Sequence, residues 1–301
     1  MPELAEVEYV ARQLRAETRG RRIVAAHVYW ARSIQGIAPD AFEAGVVGRV
    51  ITEVGRRAKY LLVTLQAEQR EQAPASAHED TGDARADDPD TRILIIHRRM
   101  SGNVLLAKPD EIADGVTAFD PYTRVDFALD DGRHLVYSDP RKFGRLALVA
   151  PDALPDFFAA IGPEPLDDAF TAARLGRRLA SHNGAIKAVL LDQSVVAGLG
   201  NIYADEALYR ARIHPLRHAN TLTETELQAL RDAIRSVLET GIVNGGVTFG
   251  RHRGIYNEAG ANLAHLEVYR HTGQPCLRCG APIQRIVVVG RGTHFCPACQ
   301  L

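Results

Sequence analysis

The hydrophobic pattern of the first half of the chain indicates one helix followed by many strands. Leu4, Val7, Val10 and Leu14 recur at helical spacing, and Gly20 is a natural helix stop. β-Rich segments follow, and we predict strands over residues 22–30, 46–54, 59–65, 92–96, 104–107, 124–129, 134–137 and 144–149. Residues 1–150 are therefore predicted to form a β-sandwich that carries an N-terminal helix.

Two strand connections can be predicted within this half. Residues 92–96 and 104–107 have the pattern of a strand pair joined across the loop that contains Met100. Residues 124–129 and 134–137 flank Asp130-Asp131-Gly132, which is a strong hairpin signal.

The second half of the chain has a helical pattern. Pro155, Pro163 and Pro165 mark a linker. Beyond it we predict helices over residues 169–181, 184–193, 201–211 and 223–244. Thr223 and Glu226 form a capping box at the start of the last helix. Residues 245–263 are glycine-rich and irregular, which is typical of a mobile loop. The fold class is predicted to be α+β.

Residues 67–91 differ from the rest of the chain. They are rich in Ala, Asp, Glu and Pro, and they lack hydrophobic periodicity. We predict a disordered surface insertion between two strands. Its eight acidic and two basic residues carry a charge of −6, so the chain's net charge of −1 leaves +5 for the remainder. The C-terminal end is basic, which suits phosphate contact but is equally compatible with a solvated surface.

Length and composition exclude several protein classes. With 301 residues, 46% hydrophobic and 24% charged, the chain is globular and long enough for two domains. The N-terminus lacks the apolar run of a signal peptide, and no stretch of about 18 apolar residues predicts a membrane span. We therefore expect a cytoplasmic protein. All four cysteines lie in the last 26 residues, which argues against a disulfide framework spread over the fold.

The most specific motif is the spacing Cys276-x2-Cys279-x16-Cys296-x2-Cys299. Each C-x2-C unit can place two thiolates on one cation, and the intervening span is long enough for a hairpin that joins the two units. The alternative is two disulfides or redox pairs, which the paired units in a cytoplasmic chain disfavour. We predict one structural Zn²⁺, with Arg291 at the tip of the hairpin.

The first residues carry two possible meanings. Pro2 follows the initiator methionine, whose removal would leave a secondary amine with a pKa near ~8 and an available lone pair. Glu3 beside it can move protons. The ordinary interpretation is a helix start, where proline and acidic residues are common. The residues alone favour that interpretation, and the two are compatible.

Several separate segments resemble one family. The opening Met1–Glu8 resembles the PELPEVE start of the formamidopyrimidine-DNA glycosylases, bacterial base-excision repair enzymes, with Ala5 in place of a proline. Gly198–Glu206, by itself an ordinary helix cap, resembles the G-x-G-N-I-Y-x-x-E signature of their helix–two-turn–helix module. The resemblance implies that Pro2 is the nucleophile and Glu3 the acid/base. It also makes Lys59, otherwise a basic strand edge, the active-site lysine.

The same resemblance implies a set of DNA contacts. Met100, Arg141 and Phe143 would fill the void left by an extruded nucleotide, although methionine and phenylalanine are more often core residues. Asn201, Lys187 and His182 would contact the DNA backbone, and Arg291 would clamp phosphate beside the catalytic residues. Tyr122 stands where many members carry a histidine near DNA, which is a second departure from the family pattern.

The family also implies an activity and a domain plan. We expect a monomeric, bifunctional glycosylase and abasic-site lyase that excises 8-oxoguanine and formamidopyrimidines from damaged double-stranded DNA, by a proline Schiff base followed by β,δ-elimination. It would act at the nucleoid. The expected domains are a catalytic domain (1–150), a helix–two-turn–helix domain (151–265) whose loop 245–263 caps the lesion, and a zinc-finger hairpin (266–301).

Two alternatives stay open. The first is an endonuclease VIII-like enzyme for oxidised pyrimidines, which shares the nucleophile and the zinc hairpin. Leu4 and the residues Met100, Arg141 and Phe143 favour the purine branch. The second is a non-catalytic zinc-containing DNA-binding protein, which the presence of Pro2, Glu3 and Lys59 disfavours.

Overall fold

A computed structural model of the protein describes residues 2–67, 90–109, 121–248 and 253–301. The predicted α+β class is confirmed: two sheets and a long N-terminal helix are followed by helices and a cysteine-bearing hairpin. Most of the predicted insertion at 67–91, and residues 249–252 of the glycine-rich segment, lie outside the described residues.

The helices are α1 (Leu4–Thr18), α2 (Pro39–Val46), α3 (Leu154–Phe157), α4 (Ala172–Leu179), α5 (Ile186–Leu190), α6 (Asn201–Arg210) and α7 (Glu224–Val243). The strands are β1 (Ile23–Val28), β2 (Ile34–Gln35), β3 (Arg49–Arg57), β4 (Tyr60–Ala67), β5 (Arg92–His97), β6 (Asn103–Ala107), β7 (Thr123–Leu129), β8 (His134–Ser138), β9 (Arg145–Val149), β10 (Gln284–Val288) and β11 (Arg291–Phe295).

The first half forms two sheets with a shared core. One has the strand order β1-β7-β8-β6 and the other the order β2-β9-β5-β4-β3. In β4, Leu61, Val63 and Leu65 are buried while the residues between them are half-exposed, as a strand with one face on the core requires. The core between the sheets also contains Val7 and Val10 of α1, so the N-terminal helix is part of the sandwich.

One predicted strand pair is wrong. Strand β5 pairs with β4 and β9, whereas β6 pairs with β8, so the two belong to different sheets. The loop 98–102 crosses from one sheet to the other. Neighbouring strands usually pair, but both of these are almost entirely buried, and each supplies core residues to its own sheet. Helix α2 was not predicted, and Val46 ends that helix instead of beginning a strand.

The second half packs its helices around α6 and α7. The capping box at the start of α7 is present: Thr223 N–H donates to Glu226 Oε2 at 2.8 Å, and Glu226 N–H donates to Thr223 Oγ1 at 3.3 Å. Leu4 and Ala5 of α1 lie in this helical core, whereas the next turns of α1 lie in the sandwich core. Helix α1 therefore joins the two halves at its first turn. Among the described helices, none has both the length and the apolar character needed to span a membrane.

Candidate active site

The start of α1 lies against the start of α6. Pro2 and Glu3 are buried, and Leu4 N–H donates to the carbonyl of Gly198 at 3.0 Å. The Glu3 carboxylate accepts hydrogen bonds from Ile202 N–H at 3.0 Å and Tyr203 N–H at 3.4 Å. It therefore occupies the positive end of the α6 dipole. Burial raises the pKa of Glu3, although the charge of Lys59 acts in the opposite direction.

Two glycines make this approach possible. A Cβ at Gly200 would overlap the Glu3 carboxyl group, and a Cβ at Gly198 would lie 2.7 Å from Leu4 Cβ. Gly198 also has a φ of 76°, which favours glycine. The Gly-Leu-Gly sequence thus brings the two helix starts into contact, a purpose that the motif alone does not reveal.

Lys59 reaches the same place from the β3–β4 hairpin. Its Nζ donates to the carbonyl of Leu199 at 2.9 Å, and the residue is 6% exposed. Burial lowers the pKa of Lys59, the carboxylates of Glu3 and Glu6 act against that shift, and the charge of Arg291 adds to it. The site therefore brings the Lys59 ammonium within electrostatic reach of the Glu3 carboxyl, which follows Pro2, and of the Arg291 guanidinium.

The hairpin tip that presents Lys59 is held by Glu164 in the segment before α4. Glu164 accepts from Arg56 Nη1 at 2.7 Å, from Arg57 Nη1 at 2.8 Å and from Ala58 N–H at 2.6 Å. Ala58 has a φ of 50°, a conformation uncommon for residues other than glycine. These three contacts stabilise the turn and thereby position the backbone of Lys59.

Glu6 is a further site residue, although its position in the sequence indicates only a helix start. Its carboxylate accepts from Glu3 N–H at 2.8 Å, from the hydroxyl of Tyr203 at 2.7 Å and from Val247 N–H at 2.8 Å. Glu6 therefore connects the catalytic candidates to α6 and to the glycine-rich segment. The sequence shows only a glutamate three residues after Glu3, and the burial of Glu6 and its partners are known only from the structure.

The four cysteines form a compact cluster that fits zinc. Their Sγ atoms all lie within 4.8 Å of one another, with 3.9 Å between Cys276 and Cys299 and 3.5 Å between Cys279 and Cys296. Tetrahedral Zn–S bonds of about 2.3 Å place sulfurs roughly 3.8 Å apart. The predicted structural zinc is confirmed, and four thiolates leave no open position for catalysis.

The zinc hairpin meets the start of α6 at its tip. Asn201 Nδ2 donates to the carbonyl of Gly292 at 3.0 Å. Gly292 follows Arg291 directly at the β10–β11 turn, where Val288 pairs with Arg291. Asn201 and Arg291 therefore lie together, with Arg291 near enough for its charge to act on Lys59.

Met100, Arg141 and Phe143 lie at the surface on two loops. Met100 and Phe143 are each 46% exposed, and the Arg141 guanidinium lies 4.6 Å above the Phe143 ring centroid. Exposure of two large apolar side chains removes the core interpretation for both.

Asp139 holds these two loops together, a role that no pattern in the sequence indicates. Fully buried, it accepts from Ser101 Oγ at 2.5 Å, Arg141 N–H at 3.2 Å and Gly144 N–H at 2.8 Å. The sequence shows only an acid within a loop, and its burial and partners are known only from the structure.

The remaining predicted DNA contacts divide into surface and interior residues. Tyr122 is 37% exposed, and His182 is half-buried with Nδ1 2.9 Å from the carbonyl of Arg178. Lys187 is fully buried, donates to the carbonyl of Asn201 at 3.0 Å, and forms an ion pair with Asp205. The predicted phosphate contact of Lys187 does not agree with this position, because an enclosed, paired ammonium cannot reach a DNA backbone.

A buried arginine near the site was also not foreseen. Arg98 is 1% exposed, and its guanidinium donates to Gly102 O at 3.0 Å, Asn103 Oδ1 at 2.9 Å and Arg253 O at 3.3 Å. Arg253 follows the undescribed part of the glycine-rich segment. Arg98 thus connects the loop that carries Met100 to the returning end of that segment.

Comparisons with known proteins agree with this geometry. The model for the formamidopyrimidine-DNA glycosylase N-terminal domain matches residues 1–146, the model for the H2TH domain of the same enzymes matches residues 161–252, and the model for a zinc finger found in FPG and IleRS matches residues 273–301.

Similar whole chains are also known. Formamidopyrimidine-DNA glycosylases of Herpetosiphon aurantiacus and Roseiflexus sp. are 44% and 42% identical over 301 residues, with full coverage of both chains. A Lactococcus lactis FPG mutant in complex with DNA containing Fapy-dG superposes with a TM-score of 0.84 at 34% identity, covering 99% of each chain. The wild-type L. lactis protein bound to DNA containing an oxidised pyrimidine gives a TM-score of 0.82 at the same identity and coverage.

Proposed function

The chain belongs to the formamidopyrimidine-DNA glycosylase family, and on this premise we propose that it excises oxidised purines from duplex DNA and then cleaves the abasic strand. The observation that carries the proposal is the placement of Pro2. It precedes a buried Glu3, the charge of Lys59 acts on that carboxyl, and the charge of Arg291 acts on Lys59. An amine, an acid and two cations suit a reaction at a sugar carbon flanked by phosphates.

In the first step, the lone pair of the Pro2 nitrogen attacks C1′ of the damaged nucleotide. This requires removal of Met1, because an acylated nitrogen has no available lone pair. The bond between C1′ and the base breaks, and its electron pair leaves with the base. The proton on the attacking nitrogen passes to the departing base. As the base leaves, Glu3 donates a proton to O4′ and the C1′–O4′ bond breaks, so that the freed nitrogen lone pair forms an iminium with C1′.

The raised pKa of Glu3 supports its role as the acid. A buried carboxyl retains its proton at a higher pH than an exposed one, so more of it is protonated when O4′ requires a proton. The iminium acidifies the C2′ proton. Loss of that proton expels the 3′ phosphate in β-elimination, and a second, δ-elimination expels the 5′ phosphate.

The surrounding residues suit a bent, damaged duplex. We assign phosphate contacts to Arg291 and Asn201, void filling to Met100, Arg141 and Phe143, and contacts along the DNA to Tyr122 and His182. Segment 245–263 would lie over the extruded base. In this proposal residues 1–150 supply the chemistry, residues 151–265 bind the DNA backbone, and residues 266–301 hold Arg291 in place. The protein acts as a monomer at the nucleoid.

A second substrate class has one specific observation in its favour. The L. lactis relative was crystallised with DNA containing an oxidised pyrimidine as well as with Fapy-dG DNA. Cleavage of duplexes carrying 8-oxoguanine, a formamidopyrimidine or an oxidised pyrimidine, each opposite every base, ranks the classes. We expect the purine lesions to be processed faster.

The test of the proposed chemistry is borohydride trapping. Lesion DNA mixed with the protein and borohydride should become covalently attached at Pro2, because reduction converts the iminium into a stable amine. Pro2→Gly should retain lesion binding while base release and strand cleavage fall together. Lys59→Met is the matched control, since it should slow the reaction without moving the attachment site. An adduct on Lys59 in Pro2→Gly would show a lysine-based lyase, and no adduct or cleavage in the wild-type protein would indicate a non-catalytic DNA-binding protein.

A further inference from the structure

A fully buried charge network joins α5, α6 and the zinc hairpin. Asp205 on α6 has no exposed side-chain surface, and neither has its ion-pair partner Lys187 on α5. The second oxygen of Asp205, Oδ2, accepts from the backbone N–H of His294 at 3.0 Å and lies 3.2 Å from His294 Nδ1. One carboxylate thus binds both α5 and the zinc hairpin, and His294 of the hairpin lies 89 residues from Asp205 in sequence.

The network includes two hydrogen bonds to β11. Asn201 and Asp205 are four residues apart on α6, so they lie on the same face of that helix. Asn201 Nδ2 donates to the carbonyl of Gly292, and Asp205 accepts from the N–H of His294, two residues further along β11. Two bonds to one strand fix its angle as well as its position on the helix.

Lys187 stabilises the residues that make both of these contacts. Its Nζ pairs with Asp205 Oδ1 and also donates to the carbonyl of Asn201 at 3.0 Å. The first turn of α6 and the carboxylate that binds β11 are therefore held by the same ammonium. Arg291 immediately precedes residues 292–294, which these bonds hold, and Arg291 itself is exposed.

We propose that Asp205, with Lys187 and His294, is a positioning residue that aims Arg291 at the DNA phosphate beside the lesion. The inference rests on the proposed function, in which Arg291 contacts phosphate. The zinc cluster and a small core that includes Tyr209 and Val268 hold the base of the hairpin, whereas Asp205 and Asn201 hold the strand that leads from its tip. Zinc thus folds the hairpin, and Asp205 sets its direction.

The test measures binding to a duplex with a non-cleavable abasic-site analogue over a range of salt concentrations. Asp205→Asn should retain one zinc per chain and weaken binding about tenfold at low salt. The slope of log affinity against log salt should fall by about one, as expected for one lost phosphate contact. In an Arg291→Ala background, Asp205→Asn should change the affinity less than about twofold, because the residue that it aims is already absent.

Two further variants make the result decisive. Asp205→Asn leaves Lys187 buried without an anionic partner, so the double variant Lys187→Met/Asp205→Leu removes both charges and also removes every side-chain acceptor for His294 N–H. It should show the same loss of affinity and the same change of slope. Asp232→Asn removes one negative charge from an exposed part of α7 and should bind as the wild-type protein does.

Three results would overturn the inference. The first is an unchanged salt slope in Asp205→Asn. The second is an equal loss of affinity with and without Arg291. The third is loss of zinc in both Asp205 variants, which would show that the network folds the hairpin instead of directing it. Failure of the wild-type protein to prefer the abasic duplex over undamaged DNA would be a failure of the proposed function itself.

Discussion

The carboxylate of Glu3 accepts a hydrogen bond from the backbone N–H of Ile202 at 3.0 Å, across 199 positions of sequence. The second residue of the proposed catalytic pair is thereby fixed to the first turn of a helix in the other half of the molecule. The acid beside Pro2 is consequently buried, and burial raises its pKa. The proposed chemistry at the N-terminus therefore depends on how the two halves pack.

Substitution of Glu3 should separate the two proposed reactions. Glu3→Gln keeps an acceptor for Ile202 N–H but cannot supply the acidic proton, so base release should fall by about 10²-fold or more. Cleavage of preformed abasic sites should retain part of its rate, because no base has to depart. Single-turnover rates on lesion and abasic duplexes measure the split. Equal losses on both substrates would contradict the assigned role.

The same substitution should change how stability depends on pH. The pKa of Glu3 is raised in the folded protein, so the folded state binds its proton more tightly than the unfolded state does. The contribution of Glu3 to stability therefore decreases as pH rises from its ordinary pKa of 4.5 towards the folded-state value. Glu3→Gln should melt at a higher temperature than the wild-type protein at pH 8, and the difference should vanish below pH 4.

Asp139 should control the geometry of the two loops that carry Met100, Arg141 and Phe143. Asp139→Asn replaces a charged acceptor that is bound by Ser101 and by two backbone N–H groups, and should cost about 2 kcal/mol of unfolding free energy. It should also reduce the preference for lesion over undamaged duplex, measured by competition binding. Asp126→Asn, which removes a carboxylate paired with His134 in the same sheet, should leave that preference unchanged.

Loss of one zinc ligand should affect only the C-terminal part of the protein. Cys296→Ser is expected to lose the metal and unfold the hairpin, since structural zinc sites contribute directly to folding. DNA affinity should fall because Arg291 is no longer held. Metal analysis, binding and circular dichroism check the three effects. Zinc retained at one per chain would contradict the four-thiolate site, and loss of the β-sandwich signal would contradict its independence.

Deletion of residues 68–89 should leave turnover nearly unchanged. Strand β4 ends at Ala67 and β5 begins at Arg92, and Leu65 pairs with Arg92, so a short turn can join the two strands. The deleted residues include seven acidic and two basic ones, a net charge of −5. Their removal should slightly raise DNA affinity at low salt. A large loss of turnover would show that this segment takes part in DNA binding.

Local patterns in the sequence determined much of this protein. The spacing of four cysteines predicts the zinc site, because a C-x2-C unit places two thiolates on one metal ion. Hydrophobic periodicity predicts α1, which has one face on the core, and runs of apolar residues predict most of the strands. The resemblance of residues 1–8 and 198–206 to a known family identifies Pro2, Glu3 and Lys59 as candidates before any contact is known.

Only the tertiary structure decided what these residues touch. Periodicity fixes which face of a strand is buried but not which sheet it joins, and so β5 and β6 were wrongly paired. In the sequence Lys187 resembles a surface cation, whereas in the structure it is buried and paired with Asp205. Asp139 resembles an ordinary acidic loop residue, whereas in the structure it accepts hydrogen bonds from two loops. The reason is physical: burial and hydrogen-bond partners are properties of contacts between distant segments, and a local sequence pattern carries no record of them.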